Sequence, residues 1–225
     1  MQAKDLRPAG SIAQFYGVKC LTFGDPGTGK TPIINTAPRP VFLSIEPGLR
    51  SMAGSNVPTW QANKPKEIRE FFTWFFSSAE TKNYDTLCVD SVSEYCEVIL
   101  EEMLNKHSHG LKAYGEMAEE VMATMNKLNY HPQKHLYLIC KQTTVEQAGA
   151  QKRKPYFPGK ELNVKIPHLF DEVFHLGKHT IPGVIGQQTA FCCNEQFDIL
   201  ARDRSGKLAT FEPPNLTSIF QKAMT

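Results

Sequence analysis

Residues 24–31 run Gly24-Asp25-Pro26-Gly27-Thr28-Gly29-Lys30-Thr31. That spacing of glycines, lysine and threonine grips phosphate. Gly24, Gly27 and Gly29 accept backbone angles that a Cβ would forbid. Asp25, Pro26 and Thr28 complete the turn, whose N–H groups can then point inward at phosphate oxygens. Lys30 adds a point charge for the β- and γ-phosphates. The Thr31 hydroxyl is a ligand for Mg²⁺. A helix starting near Lys30 would aim its positive end at the same anion. The expected ligands are ATP and Mg²⁺.

Such a site needs acids. Asp90 closes the apolar run Thr86-Leu87-Cys88-Val89, which places a carboxylate beside the metal. The bland alternative is a residue capping the next helix. Glu46 follows another apolar run, 41–45, and precedes Pro47-Gly48. A carboxylate at the carboxyl end of a parallel strand faces the ligand crevice, so Glu46 is the expected base for water, with Glu94 a weaker contender. Gln142, after Cys140-Lys141, is placed to sense the γ-phosphate and to couple it to the segment behind it.

That segment, 143–165, shows no period and is expected to be a long functional loop. Residues 141–165 hold six basic side chains (Lys141, Lys152, Arg153, Lys154, Lys160, Lys165) against Glu146 and Glu161. Tyr156 and Phe157 lie among them. Cations neutralise phosphates and rings stack on unpaired bases, so this is the composition of a single-strand-binding loop. Arg202 and Arg204, at i and i+2 on extended chain, project to one side. They are expected to reach the nucleotide of a neighbouring subunit. His107-Ser108-His109 lacks partners at ligand spacing and reads as a polar loop.

These residues require strands that end at one edge of a sheet. Apolar runs predict strands over 18–23, 40–45, 86–89 and 135–140, with shorter ones over 174–176, 189–193 and 197–201. Ile68, Phe71, Phe72 and Phe75 follow a 3.6-residue period and predict a helix over 65–80. Helices are also expected over 91–106, 114–130 and 216–224, with residues 106–112 irregular. Strands alternating with helices predict an α/β fold with a mostly parallel sheet. The chain has 225 residues, 41% of them hydrophobic, and a net charge of +2, so global charge does not announce nucleic acid. One domain over 1–225 is expected. No apolar run approaches the ~18 residues of a membrane span, and residues 1–8 lack a signal-peptide core. A cytoplasmic protein is therefore expected. Six cysteines without C-x-x-C point to core residues rather than disulfides or zinc.

Taken in order, GDPGTGKT at 24–31, SIEPGL at 44–49, DTLCVDS at 85–91, CKQ at 140–142, PYFPGKEL at 155–162 and ARDRSGK at 201–207 resemble the RecA-type ATPase core. The likeness is greatest to the small phage-encoded proteins grouped with the Sak single-strand annealing proteins, and it covers about Val18 to Leu216. It implies a RecA-like P-loop NTPase with antiparallel strands towards the C-terminus. It implies that Glu46 activates water, Asp90 holds metal, Gln142 links γ-phosphate to the DNA-binding loop 143–165, and Arg202 and Arg204 act across a subunit interface. The implied partners are single-stranded DNA, further copies of the chain in a ring or filament, and a single-strand-binding protein, in the cytoplasm of a phage's bacterial host. Two departures stand out. Ser44 replaces a common acidic residue, and no large accessory domain flanks the core, so residues 1–17 must serve docking. The rival readings are a P-loop kinase or phosphotransferase and a non-catalytic nucleotide switch.

Overall fold

The computed structural model describes residues 6–13, 15–147 and 149–225. Residues 1–5 and 14 of the expected docking segment, and Ala148 of the 143–165 stretch, lie outside the described residues. In chain order the elements are α1 (Ala9–Ala13), β1 (Lys19–Phe23), β2 (Pro40–Ser44), β3 (Thr59–Gln61), α2 (Pro65–Ser77), β4 (Thr86–Asp90), α3 (Val92–Lys106), α4 (Gly110–Asn129) and β5 (His135–Cys140). There follow β6 (Gln142–Gln147), β7 (Ala150–Pro155), α5 (Lys160–Leu169), β8 (Glu172–Thr180), β9 (Gln187–Cys192), β10 (Arg202–Asp203), β11 (Phe211–Glu212) and α6 (Leu216–Met224).

The main sheet has nine strands in the order β11-β9-β8-β1-β5-β4-β2-β3, with β10 also on β8. From β3 to β8 every pairing is parallel, whereas β9, β10 and β11 pair antiparallel. This is the expected mostly parallel α/β fold with antiparallel strands towards the C-terminus. Both faces are covered. Leu21, Phe23, Val41 and Leu43 pack with the apolar stripes of α2 to α5 on one side. Cys20, Phe42, Tyr137 and Phe174 pack with α6 and residues 33–37 on the other. A parallel strand covered on both faces is buried along its whole length and reads as a mainly apolar run, as β1 and β4 do.

The α2 helix shows how sequence becomes packing. Pro65 occupies its first turn, where a missing N–H costs nothing. Ile68, Phe71, Phe72 and Phe75 are all buried, each contributing about 1.5–3 kcal/mol. On its other side Arg69 binds Glu102 of α3 at 2.5 Å and Glu120 of α4 at 2.8 Å. All six cysteines are buried and free.

Four expectations are corrected. The helix expected from Lys30 is only a 3₁₀ stretch, Pro32–Thr36, because Pro38 and Pro40 stop it and turn the chain into β2. No helix dipole of useful length therefore faces the glycine loop. Residues 197–201 form a turn with isolated bridges, not a strand. The α4 helix begins at Gly110, so residues 110–112 are not irregular. Residues 142–147 and 150–155 pair as the two antiparallel strands of a β-hairpin, and α5 follows.

Candidate active site

Strand register brings the site together. Phe23 of β1 lies beside Cys140 of β5, Ile139 beside Asp90 of β4, and Asp90 beside Ser44 of β2. The residues that follow these strands therefore share one edge: the glycine loop after β1, Gln142 after β5, Asp90 ending β4, and Glu46 after β2. In open α/β sheets this carboxyl edge is where ligands bind.

The glycines of the loop serve different ends. Gly27 and Gly29 have φ of 78° and 90°, angles that favour glycine. Gly24 does not. A Cβ there would meet the Leu176 carbonyl oxygen of β8 at 2.2 Å, so this glycine permits close packing rather than an unusual angle. Thr28 Oγ1 donates to the Asp25 carbonyl at 2.9 Å. Lys30 Nζ donates to the carbonyls of Gly24 and Asp25 at 2.7 and 2.8 Å. Burial pulls the Lys30 pKa down, and the charges of Asp90, Glu46 and Asp25 oppose that pull.

Thr31 Oγ1 donates to Asp90 Oδ2 at 2.6 Å. Burial pushes the Asp90 carboxyl up to about 6, helped by Glu46 and opposed by the Thr31 hydrogen bond and Lys30. Glu46 is tied to the same place. Its N–H donates to the Asp90 carbonyl at 3.1 Å, and its Oε1 accepts from Ser91 Oγ. Glu94 is committed elsewhere, since its carboxylate and that of Glu97 hold Lys141 Nζ at 2.7 and 2.5 Å. Gln142 Nε2 donates to Asp25 Oδ1 at 2.7 Å, while its buried Oε1 has no partner. Two supports escaped the sequence reading. Tyr137 OH donates to the Lys30 carbonyl at 3.0 Å; a tyrosine inside an apolar strand was the available signal, because a buried hydroxyl needs a partner. Ser91 stands in the sequence only as the first residue of the helix expected over 91–106.

A hydroxyl and a carboxylate oxygen in contact beside a phosphate loop are hard donors of the kind Mg²⁺ prefers. Thr31 and Asp90 therefore fit that ion, and Lys30 with the loop amides fits a polyphosphate.

The expected DNA-contacting residues divide. Phe157 is fully buried, and its N–H and carbonyl are both held by the Asn163 side chain at 3.1 and 2.6 Å. It belongs to the core and cannot stack on a base. Tyr156 is half-buried, its carbonyl accepting from Ser93 Oγ at 2.6 Å. Lys152 pairs with Glu195, and Arg153 with Asp198. Lys141 and Lys165 are also paired with acids. Among the described residues, Lys154 on β7 and Lys160 at the start of α5 carry no ion pair, so acids from elsewhere in the fold remove much of the local positive excess.

Arg202 and Arg204 are not brought to this site. The β10 strand pairs with Val173 and Glu172 at the start of β8, the edge opposite the glycine loop. Arg202 donates to the carbonyls of Pro167 and Phe170, each at 2.6 Å. Arg204 donates to Asp171 Oδ1 at 3.3 Å and to the His168 carbonyl at 3.1 Å.

Fold and site together define a P-loop ATPase of the AAA type. The chain belongs to the AAA domain family, whose model matches residues 16–204. No curated protein matches it. Among solved structures it is similar to the KaiC-like protein PH0186 from the hyperthermophilic archaeon Pyrococcus horikoshii OT3. The identity is 14% and the TM-score 0.47, over 84% of this chain and 82% of that one.

Proposed function

We propose that this chain is a one-domain, Mg²⁺-dependent ATPase that works on single-stranded DNA in recombination or annealing, as the phage Sak-group proteins do, and that it assembles into a ring or filament of its own copies. The observation that carries this reading is one chain of contacts. Thr31 touches Asp90, Asp90 and Ser91 hold Glu46, and Gln142 joins Asp25 of the loop to the β6–β7 hairpin. A nucleotide-binding end and the β6–β7 hairpin thereby share one polar connection.

In this reading Lys30 and the loop amides hold the triphosphate. Thr31 and Asp90 hold Mg²⁺, which neutralises phosphoryl charge when bound. Glu46 takes the proton from the attacking water. Gln142 passes the occupancy of the site to the hairpin, where Lys154, Lys152 and Arg153, with Lys160 of α5, meet the DNA backbone beside Tyr156. Arg202 and Arg204 face the next subunit's triphosphate, and the N-terminal residues take part in docking. A single-strand-binding protein is a further partner.

The test is ATP turnover measured with and without oligonucleotide, across a range of protein concentrations. Stimulation by single-stranded DNA that grows with assembly is expected. Turnover indifferent to DNA but raised by a small phosphate acceptor would replace this reading with a phosphotransferase.

A further inference from the structure

The ATPase reading gives Glu46 the water, and a general base must be held within about 2.6–3.2 Å of the proton it takes. Glu46 follows β2 at the start of a turn, a place where a glutamate side chain has several rotamers open to it. Its backbone is fastened: the N–H groups of Ile45 and Glu46 both donate to the Asp90 carbonyl, at 2.7 and 3.1 Å, and Ser44 Oγ donates to the Glu46 carbonyl at 3.2 Å. Those bonds fix where the residue starts and leave the carboxylate to be aimed. The hydrogen bond that aims it comes from Ser91.

Ser91 is itself immobilised. It is buried, directly follows Asp90, and caps α3 by accepting from the Glu94 N–H at 3.1 Å. That bond occupies an acceptor site of the hydroxyl and leaves its single proton for Glu46 Oε1. We infer that Ser91 is a positioning residue: its hydroxyl, oriented by the start of α3, fixes the Glu46 carboxylate beside Asp90 so that base and metal ligand move as one unit. The inference rests on the ATPase reading for its catalytic consequence and on geometry alone for the positioning.

Ser91→Gly tests it: the variant removes the donor to Glu46, and although the acceptor for the Glu94 N–H goes with it, glycine caps helices within a few tenths of a kcal/mol of serine. Crystal structures of the wild type, Ser91→Gly and Ser91→Thr supply a readout independent of turnover. The Glu46 carboxylate should hold one position on the residue-91 hydroxyl in the wild type and in Ser91→Thr, and lose it in Ser91→Gly while residues 44–46 keep their backbone. In kinetics, Ser91→Gly should lower kcat by roughly tenfold to a hundredfold, a share of the ~10²–10⁴ a positioned base supplies. KM for ATP should be unchanged and Ser91→Thr should restore the rate. A Glu46 carboxylate that stays in place without the hydroxyl overturns the inference, and so does a kcat loss as large in Ser91→Thr. A wild type inert towards ATP whose Glu46 still depends on Ser91 overturns the ATPase reading and leaves the positioning supported.

Discussion

Glu46 and Glu172 are both glutamates at the ends of strands, yet their surroundings give them opposite work. Glu46 stands at the carboxyl edge with its carboxylate aimed by Ser91. Replacing it by glutamine keeps the shape and removes the proposed base. Turnover should fall about 10²- to 10⁴-fold, with nucleotide binding retained in a fluorescence titration; binding lost along with turnover would reassign Glu46 to ligand contact. Glu172 stands at the opposite edge, opposite Asp203 in register, with one oxygen unpartnered. Burial and the Asp203 charge push its carboxyl up to about 8. Burial also pushes Asp203 upward, but hydrogen bonds from Ser205, Leu208 and Gly206 prevail and hold it low. The folded chain thus keeps a proton on Glu172 that the unfolded chain releases near the ordinary glutamate value. Raising the pH from about 4.5 to 8 should therefore remove this residue's contribution to stability, an amount on the order of a few kcal/mol. Glu172→Gln should flatten the fall of Tm across that window. An unchanged slope in a thermal melt series would show that Glu172 ionises normally.

At the scale of elements, the β6–β7 hairpin is the part the sequence concealed. The strands QTTVEQ and AQKRKP pair with each other in their own two-stranded sheet. Neither carries an apolar alternation, because no buried face requires one, and alternation is what makes a strand readable. The α2, β4 and β5 elements were legible for the opposite reason: α2 buries residues at a 3.6-residue period, and β4 and β5 bury an almost unbroken run. The same logic separates the two rings of the segment. Phe157→Ala should cost about 3–5 kcal/mol of stability, seen as a lowered denaturation midpoint. An effect on DNA binding without one on stability would contradict its place in the core. Lys154→Glu and Lys160→Glu should each weaken binding of single-stranded DNA and reduce the salt slope by about one. Lys152→Glu should act partly through its broken pair with Glu195, and adding Glu195→Lys should restore the hairpin. Salt slopes that stay unchanged in the two unpaired-lysine variants would move the DNA contact to another surface.

Across the whole molecule, the placement of Arg202 and Arg204 sets a geometric condition. They lie at the amino edge of the parallel strands and the glycine loop lies at the carboxyl edge, so one copy cannot use both on one triphosphate. If the arginines act on nucleotide, head-to-tail packing of copies is the geometry that delivers them. Arg204→Ala and Lys30→Ala should each abolish most turnover when assembled alone. Mixed together, they should recover part of it, because some interfaces join an intact loop to an intact arginine. No recovery at any mixing ratio would remove the trans role. None of the described helices is long and apolar enough to cross a membrane.

The loop proposed to grip phosphate was legible in the sequence alone, because its pattern lies in eight consecutive residues and in angles that particular residue types permit. The same holds for Asp90, whose strand announces its own end. Which acids would meet across the sheet was not local information: Glu46 and Asp90 are neighbours only because β2 and β4 pair in one register. Tertiary packing alone buried Phe157, matched Lys152 and Arg153 with acids more than 40 residues away, and set two arginines at the far edge. Charge and aromaticity are properties of residues; whether they face solvent, a partner or the core depends on what the rest of the chain brings against them.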